Sequence, residues 1–353
     1  MKIAVLNDTH CGVRNSSSIF AKNEIRFYEK IFFPYLKKHG IKKIIHLGDV
    51  FDNRRHINLK SFNIYRKHFV DVLQKEDIHM DLIPGNHDVY YKNTNELNAP
   101  LELLGGYKNN ITIHMNPVVI EYDSLRIGLV PWINSENRES TLEFLKTCSA
   151  DWIGGHLELS GFEVMRGIKS HHGEDPGAFQ RFEKVLSGHY HTKSQKMNVM
   201  YLGSQLEFTW ADVSDRKFFH IIDTKERSVV PVENPHRIFH RINYDADKRD
   251  YSKEDVEECD NKFVKVVVIN KGDVFTFDEF IDRIQARPIY DLKIAENFTE
   301  FVGENVEDSN LKLEDTEVLL DSYVDAVDTD LDKNRLKAEF RNLHTEALIT
   351  EVY

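Results

Sequence analysis

An α/β fold built on parallel sheets is what this 353-residue sequence predicts. Three observations carry that reading. Hydrophobic, β-branched runs alternate with amphipathic helical stretches from the first residues to about Ile222. The runs are nearly continuous, as strands covered on both faces are. Five of them end in a short block of metal-binding side chains, at the carboxyl ends where α/β sheets carry their sites.

In chain order, Lys2–Leu6 reads as the first strand. Ser18–His39 reads as a helix, with Ile25, Tyr28, Phe32 and Leu36 at helical spacing, Ser17 or Ser18 as N-cap and Gly40 as its stop. Ile41–Leu47 is a second strand running straight into Gly48-Asp49. A helix over about Leu59–Gln74 follows, and then a strand at Met80–Ile83 leads to Pro84-Gly85-Asn86. Later strands are expected at Ile111–His114, Arg126–Val130, Trp152–Gly154, Lys184–Leu186, Met200–Leu202 and Phe218–Ile222, with a helix at Arg138–Thr147.

After Val232 the character changes. Pro235–Asp250 is polar and dense in His and Arg, and reads as a linker. Phe263–Ile269, Phe277–Ala286 and Ile289–Ile294 read as a strand–helix–strand unit, a small second domain. Asn297–Leu313 is acidic and reads as a flexible link. Two amphipathic stretches follow, one carrying Leu320, Val324 and Val327, the other Leu336, Phe340, Leu343 and Ala347. They read as a helical hairpin whose apolar stripes suit docking on a partner or on their own domain.

Composition sets few limits. Apolar content of 41% with 29% charged residues describes a globular protein, and no apolar run approaches a membrane span, so a cytoplasmic protein is expected. Cys11, Cys148 and Cys259 show no paired spacing and fit a reducing compartment. The net charge of −12 is concentrated: Gly303–Asp332 holds eleven acidic residues against Lys312, which leaves −3 for residues 1–302. A polyanionic substrate is not excluded.

The five blocks are Asp8-Thr9-His10, Gly48-Asp49-Val50-Phe51-Asp52, Gly85-Asn86-His87-Asp88, Gly154-Gly155-His156 and Gly188-His189-Tyr190-His191. Together they supply carboxylate, imidazole and amide ligands for two divalent cations, a cluster that binds a phosphoester and activates water against it. Asp49 is the natural bridging anion. Asp8 and His10, like His189 and His191, stand two residues apart and are expected on one side of a strand end. Cys11 is disfavoured as a ligand, being soft among hard and borderline donors. Glycine before most ligands allows tight turns and close approach.

In this order D-x-H, GDxxD, GNHD, GH and GHxH resemble the calcineurin-like metallophosphoesterases. Within them the chain is similar to the SbcD-type nuclease subunits of double-strand-break repair complexes, including those of T4-like bacteriophages. The likeness covers Lys2 to about Ile222. It implies a four-layer α/β/β/α nuclease domain over 1–235, a small DNA-binding α/β capping domain over 236–300, an acidic tether over 301–314 and a helical hairpin over 315–353. It further implies two Mn²⁺ ions, with Mg²⁺ as the alternative, and a coiled-coil ABC-type ATPase docked on the hairpin. A homodimer within a heterotetramer and residence in the cytoplasm, the host's if phage-encoded, complete the expectation.

Carried over by position, Asp8, His10, Asp49 and His191 hold one ion, and Asp49, Asn86, His156 and His189 the other. His87 then becomes the proton donor to the leaving oxygen, with Asp52 as its orienting partner. Arg54, Arg55, Lys60 and Arg66 are candidates for DNA phosphate contacts. Protein phosphatases show GDxVDRG and GNHE, whereas here Asn53 follows Asp52 and the third block ends in Asp88. Small-molecule phosphodiesterases share the blocks but not the extra residues after 232. A chiefly scaffolding role for the ATPase is the remaining alternative, and the intact ligand set argues against it.

Overall fold

Strand β1 (Lys2–Leu6) shows why the sheets are stacked. Ile3 and Val5 enter a core between two sheets, while Ala4 and Leu6 enter a core beneath helices. Alternation along a strand sends neighbours to opposite faces, so a run apolar at every position must be covered twice. The computed structural model describes residues 1–165, 168–170, 172–295, 324 and 332–337.

Helix α1 (Ser18–Phe27) passes through a π-helical turn at Tyr28–Phe32 into α2 (Phe33–His39). Strand β2 (Lys43–His46) and helix α3 (Leu59–Tyr65) follow. A second π turn (Arg66–Val70) leads to α4 (Asp71–Lys75), β3 (His79–Leu82), α5 (Ala99–Leu104) and β4 (Ile111–Ile113). The hairpin β5 (Val118–Tyr122) and β6 (Leu125–Val130) precedes α6 (Arg138–Thr147) and β7 (Trp152–Gly155). Next come a short hairpin, β8 (Glu163–Met165) and β9 (Ile168–Lys169), and strands β10 (Lys184–Ser187), β11 (Ser194–Lys196) and β12 (Val199–Tyr201). Strands β13 (Lys217–Asp223) and β14 (Ser228–Asn234) complete the first body. The second consists of β15 (Phe239–Asp245), β16 (Phe263–Asn270), α7 (Val274–Gln285) and β17 (Asp291–Ala295).

One six-stranded sheet has the order β14-β13-β1-β2-β3-β4 and the other β11-β12-β10-β7-β6-β5. Val5, Ile45, Leu129 and Trp152 fill the space between them. Phe27, Phe32, Tyr65 and Phe69 seal helices α1 to α4 onto the first sheet, and Leu145 of α6 meets Ile153 and Val185 on the second. The result is the expected α/β/β/α sandwich. Among the described residues no helix is long and apolar enough to cross a membrane.

The helical run from Ser18 to His39 is continuous but not uniformly α. Pro34 has no N–H to return to the Lys30 carbonyl, and the backbone widens into a π turn just before it. The buried stripe is Phe20, Glu24, Phe27, Tyr28, Phe32 and Leu36, and Ile25 is only half-buried. Gly40 ends the run in the left-handed conformation, φ 63°. The second π turn carries Phe69, whose ring lies 4.9 Å from Tyr28 and 5.1 Å from Tyr65.

The linker reading of Pro235–Asp250 is corrected. Its Phe239–Asp245 is a strand, paired in parallel with β16 from Phe239↔Phe263 to Tyr244↔Val268. As the edge of the three-stranded sheet β15-β16-β17 it tolerates His240, Arg241 and Asn243 among its apolar residues. Strands β5, β11 and β14, absent from the sequence reading, are also edges. Helix α7 packs Phe277, Phe280 and Ile284 against Tyr244, Val264 and Val266. Phe239 and Phe263 pack their rings, tilted, on Phe20 of α1, and Glu207 accepts the backbone N–H groups of Ile238 and Phe239 at 2.7 and 3.1 Å. The acidic tether lies outside the described residues, as does the hairpin apart from buried Val324 and residues 332–337.

Phe69 is fully buried among four aromatic rings. Phe69→Ala is expected to cost about 3–5 kcal/mol of stability, read as a lower urea midpoint. A shift below about 1 kcal/mol would contradict this packing.

Candidate metal centre

All five blocks leave the carboxyl ends of strands: β1, β2 and β3 of one sheet, β7 and β10 of the other. The parallel pairings β1–β2, β2–β3 and β7–β10 bring those ends to one rim of the sandwich. Main-chain bonds lock the first two blocks together: Asp8 N–H donates to Gly48 O at 2.9 Å, His10 to Asp49 O at 3.1 Å, and Cys11 to Val50 O at 2.8 Å.

The expected strand-like i, i+2 geometry of the ligands is not what is found. Strand β1 stops at Leu6, and Asp8 (φ 47°), His10 (φ 45°), Asp49 (φ 55°) and His189 (φ 83°) all sit in the left-handed region. Such backbone costs of the order of 1–3 kcal/mol per residue and persists where its surroundings over-determine it. Tight turns, not strand alternation, aim these side chains. Glycine is required at two crossings: a Cβ on Gly48 would lie 2.7 Å from His156 Nδ1, and one on Gly85 2.2 Å from Asp49 Oδ1.

Two donor groups result. Asp8, His10 and His191 form one, with His10 Nε2 3.1 Å from His191 Nε2 and 4.0 Å from Asp8 Oδ1. Asp49, His156 and His189 form the other, with Asn86 Oδ1 2.9 Å from His156 Nε2 and 3.0 Å from His189 Nδ1. Asp49 Oδ2 lies between them, 3.7 Å from His10 Nε2 and 3.3 Å from His156 Nε2. The structure thus brings together all seven residues expected as ligands.

The donors fit divalent cations on chemical grounds. Two imidazole nitrogens 3.1 Å apart cannot both present lone pairs, or both protons, without repulsion, and a shared cation removes the conflict. Burial and neighbouring His10 hold His191 well below the usual imidazole range, in the form a metal needs. Burial opposes charge on His10, but Asp52, Asp49 and Asp8 overcome it and raise the imidazole to about 9. His156 is likewise raised against burial, chiefly by Asp49. Burial also works against the Asp49 carboxylate, yet His156, His87 and His10 hold it well below its usual range. The carboxylates of the cluster thus favour positive charge on His10 and His156.

His87 stands beside the cluster, its ring 4.9 Å from that of His10. Its backbone N–H donates to Asp49 Oδ1 at 2.7 Å, leaving Oδ2 for the cluster. The Asp52 assignment is corrected: the contact with His87 Nδ1, 2.5 Å, is made by the Asp52 backbone carbonyl. Its carboxylate instead lies 3.3 Å from His10 Nδ1, because the turn after Asp49 points it back toward the first block. Arg54 Nε donates to the Asn86 carbonyl at 2.7 Å, and Arg55 lies over the Tyr90 ring at 5.7 Å. Lys60 is exposed in the first turn of α3, and Arg66 pairs with Asp71 at 3.3 Å.

Several supporting residues escaped the sequence reading. Asp88 accepts backbone N–H groups from Val50, Phe51 and Gly85 at 2.9–3.1 Å and so joins the second block to the third. Asn7 Nδ2 donates to Asp8 Oδ2 at 2.6 Å, and Gln205 Nε2 to the Asp8 carbonyl at 3.0 Å. Buried Lys217, paired with Asp212, donates to the His191 carbonyl at 3.2 Å and to Ser204 Oγ at 3.1 Å. Phe208 packs on His10 and His191, and Trp132 on His156 and His189. Most of these act on main-chain atoms distant in sequence, so spacing carries no signal for them.

The chain is 31% identical over 350 residues to exonuclease subunit 1 of Enterobacteria phage T4, covering 98% of this chain and 99% of that protein. A solved structure described as a novel archaeal phosphodiesterase aligns with a TM-score of 0.34 and 14% identity, over 66% of this chain and all of that one. The profile of the calcineurin-like phosphoesterases matches residues 1–193, more than half of the sequence. The chain therefore belongs to the calcineurin-like phosphoesterase family, enzymes that cleave phosphoesters with divalent metal.

Proposed function

We propose that the protein is a Mn²⁺-dependent DNA nuclease, an exonuclease on double-stranded ends with endonuclease activity besides, acting in recombination and double-strand-break repair. The observation that carries this reading is the similarity to a phage exonuclease subunit along 98% of the chain, well past the residues that bear the metal blocks. A coiled-coil ABC-type ATPase is the proposed partner, docked by the C-terminal segment.

Asp8, His10, Asp49 and His191 would hold one ion, and Asp49, Asn86, His156 and His189 the other. When bound, the pair supplies Lewis-acid polarisation of the phosphoryl group and lowers the pKa of water. His87 is set for proton transfer. Its Nδ1 faces the Asp52 carbonyl, an obligate acceptor, so Nδ1 carries hydrogen; in the imidazolium form Nε2 carries the second proton, passes it to the leaving oxygen and is left with the neutral imidazole's lone pair. Asp52 also steadies His10 through its carboxylate, a second task for one residue. Phe208 and Trp132 wall the imidazoles and limit water on their outer sides. Arg55 and Lys60, on the rim side of the second block, would meet backbone phosphates without reading sequence.

Four expectations follow from this arrangement. With Mn²⁺ the full chain degrades linear double-stranded DNA in a panel that includes cyclic nucleotides and a small diester; cleavage confined to the small compounds would replace this reading. His87→Ala lowers kcat by about 10²–10⁴-fold while Mn²⁺ affinity, read by calorimetry, stays within about twofold. Full activity in that variant would remove His87 from its role. Because His10 keeps its proton up to about 9, metal must displace it. Metal binding at about pH 7.5 is expected to release protons and to weaken as pH falls, and equal binding heats in buffers of different ionisation enthalpy would contradict this. Deletion of residues 315–353 should abolish co-purification with the ATPase while Mn²⁺-dependent hydrolysis survives.

A further inference from the structure

The segment that follows His87 and Asp88 is more firmly built than a surface loop needs to be. Val89 and Asn98 form an antiparallel bridge, and Tyr90 N–H donates to Leu97 O at 2.9 Å. Three buried asparagines fix it from below. Asn98 Nδ2 donates to Asn95 O at 3.0 Å, Asn134 Nδ2 to Asn95 Oδ1 at 2.9 Å, and Asn95 Nδ2 to the Trp132 carbonyl at 2.9 Å. One amide network thus holds both this loop and the Trp132 segment that lies against the second donor group.

What the loop displays is aromatic. The Tyr90 and Tyr91 rings are 4.8 Å apart at 74°, and Tyr91 is 52% exposed. The Arg55 guanidinium lies 5.7 Å over the Tyr90 ring and belongs to the second metal block, three residues beyond Asp52. Lys92 follows Tyr91 directly. Tyr90 is the third residue after His87, so their Cα atoms are no more than about 11 Å apart. A pair of rings joined to a planar cation, a short chain span from the proposed proton donor, matches a planar base attached to a backbone whose phosphate is at the cluster.

We propose that Arg55, Tyr90 and Tyr91 form a stacking platform for an unpaired nucleobase, that of the nucleotide carrying the leaving oxygen. The side is set by His87, which adjoins the platform and donates to that oxygen; the proposal therefore rests on the nuclease reading above. Stacking tolerates any base, so the platform places the strand without selecting sequence. It also favours ends that fray, because a paired base has no free face to offer.

The test uses the full chain with Mn²⁺ and two single-stranded oligonucleotides, one natural and one abasic at the nucleotide on the leaving side. Tyr91→Ala is expected to raise KM for the natural strand about tenfold, the scale of one lost base–aromatic stack, with kcat little changed. On the abasic strand wild type and Tyr91→Ala should share the same raised KM, and Tyr91→Trp should regain the natural-strand value. An equal loss on both strands, or none on either, overturns the platform. A bis(p-nitrophenyl) phosphate control separates the two failures. If wild type cleaves that diester but neither oligonucleotide nor linear double-stranded DNA, the nuclease reading falls and takes the platform with it; if it cleaves the duplex but neither oligonucleotide, the platform alone falls. If wild type and Tyr91→Ala cleave the natural strand alike, the platform alone falls.

Discussion

One carboxylate organises this molecule. Asp49 offers Oδ1 to the His87 backbone N–H and turns Oδ2 between two sets of histidines, one from each half of the site. Its two oxygens thus reach both donor groups and the backbone of the proposed proton donor. For that carboxylate to be where it is, the ends of two different sheets must meet, which is what the α/β/β/α layering provides. It also needs a left-handed Asp49 between Gly48 and the second strand's continuation, and a Gly85 with no Cβ in its path.

The surroundings of Asp49 are costly by themselves. A buried cluster of carboxylates and imidazoles, four of whose residues are held in left-handed backbone, would not assemble for stability alone. Asp88, Asn7, Gln205 and Lys217 repay part of this with hydrogen bonds to main chain and ligand. The His10 imidazole, raised to about 9, shows the remaining imbalance: the site attracts positive charge and takes it from protons when no metal is present.

The four-layer body was legible because its strands are apolar at every position; Ile3 to Leu6 admits no other reading. The donor residues that the structure gathers at one rim were legible because five blocks occur together in a fixed order. Two kinds of information were not. Edge strands such as Phe239–Asp245 mix His and Arg with apolar residues, since only part of their surface is covered, and so resemble linkers. Roles played through the main chain leave no residue signature. Asp52 meets His87 with a carbonyl any residue would supply, while its carboxylate serves His10. Backbone handedness at Asp8 and His10 was equally hidden, because the residues that impose it lie in the second block.

The short stretch from Ser204 to Phe208 joins parts of the protein usually thought of separately. Gln205 holds the Asp8 carbonyl, Ser204 N–H holds the His191 carbonyl, and Phe208 lies on both His10 and His191. Two residues along, Glu207 grips the amides of Ile238 and Phe239 where the three-stranded sheet begins, and Asn234 grips the Gln205 carbonyl from the end of β14. These five residues tie the edge of the outer sheet to the donor groups of the site within one or two residues, so a tilt of that sheet and the aim of Asp8 and His191 are coupled.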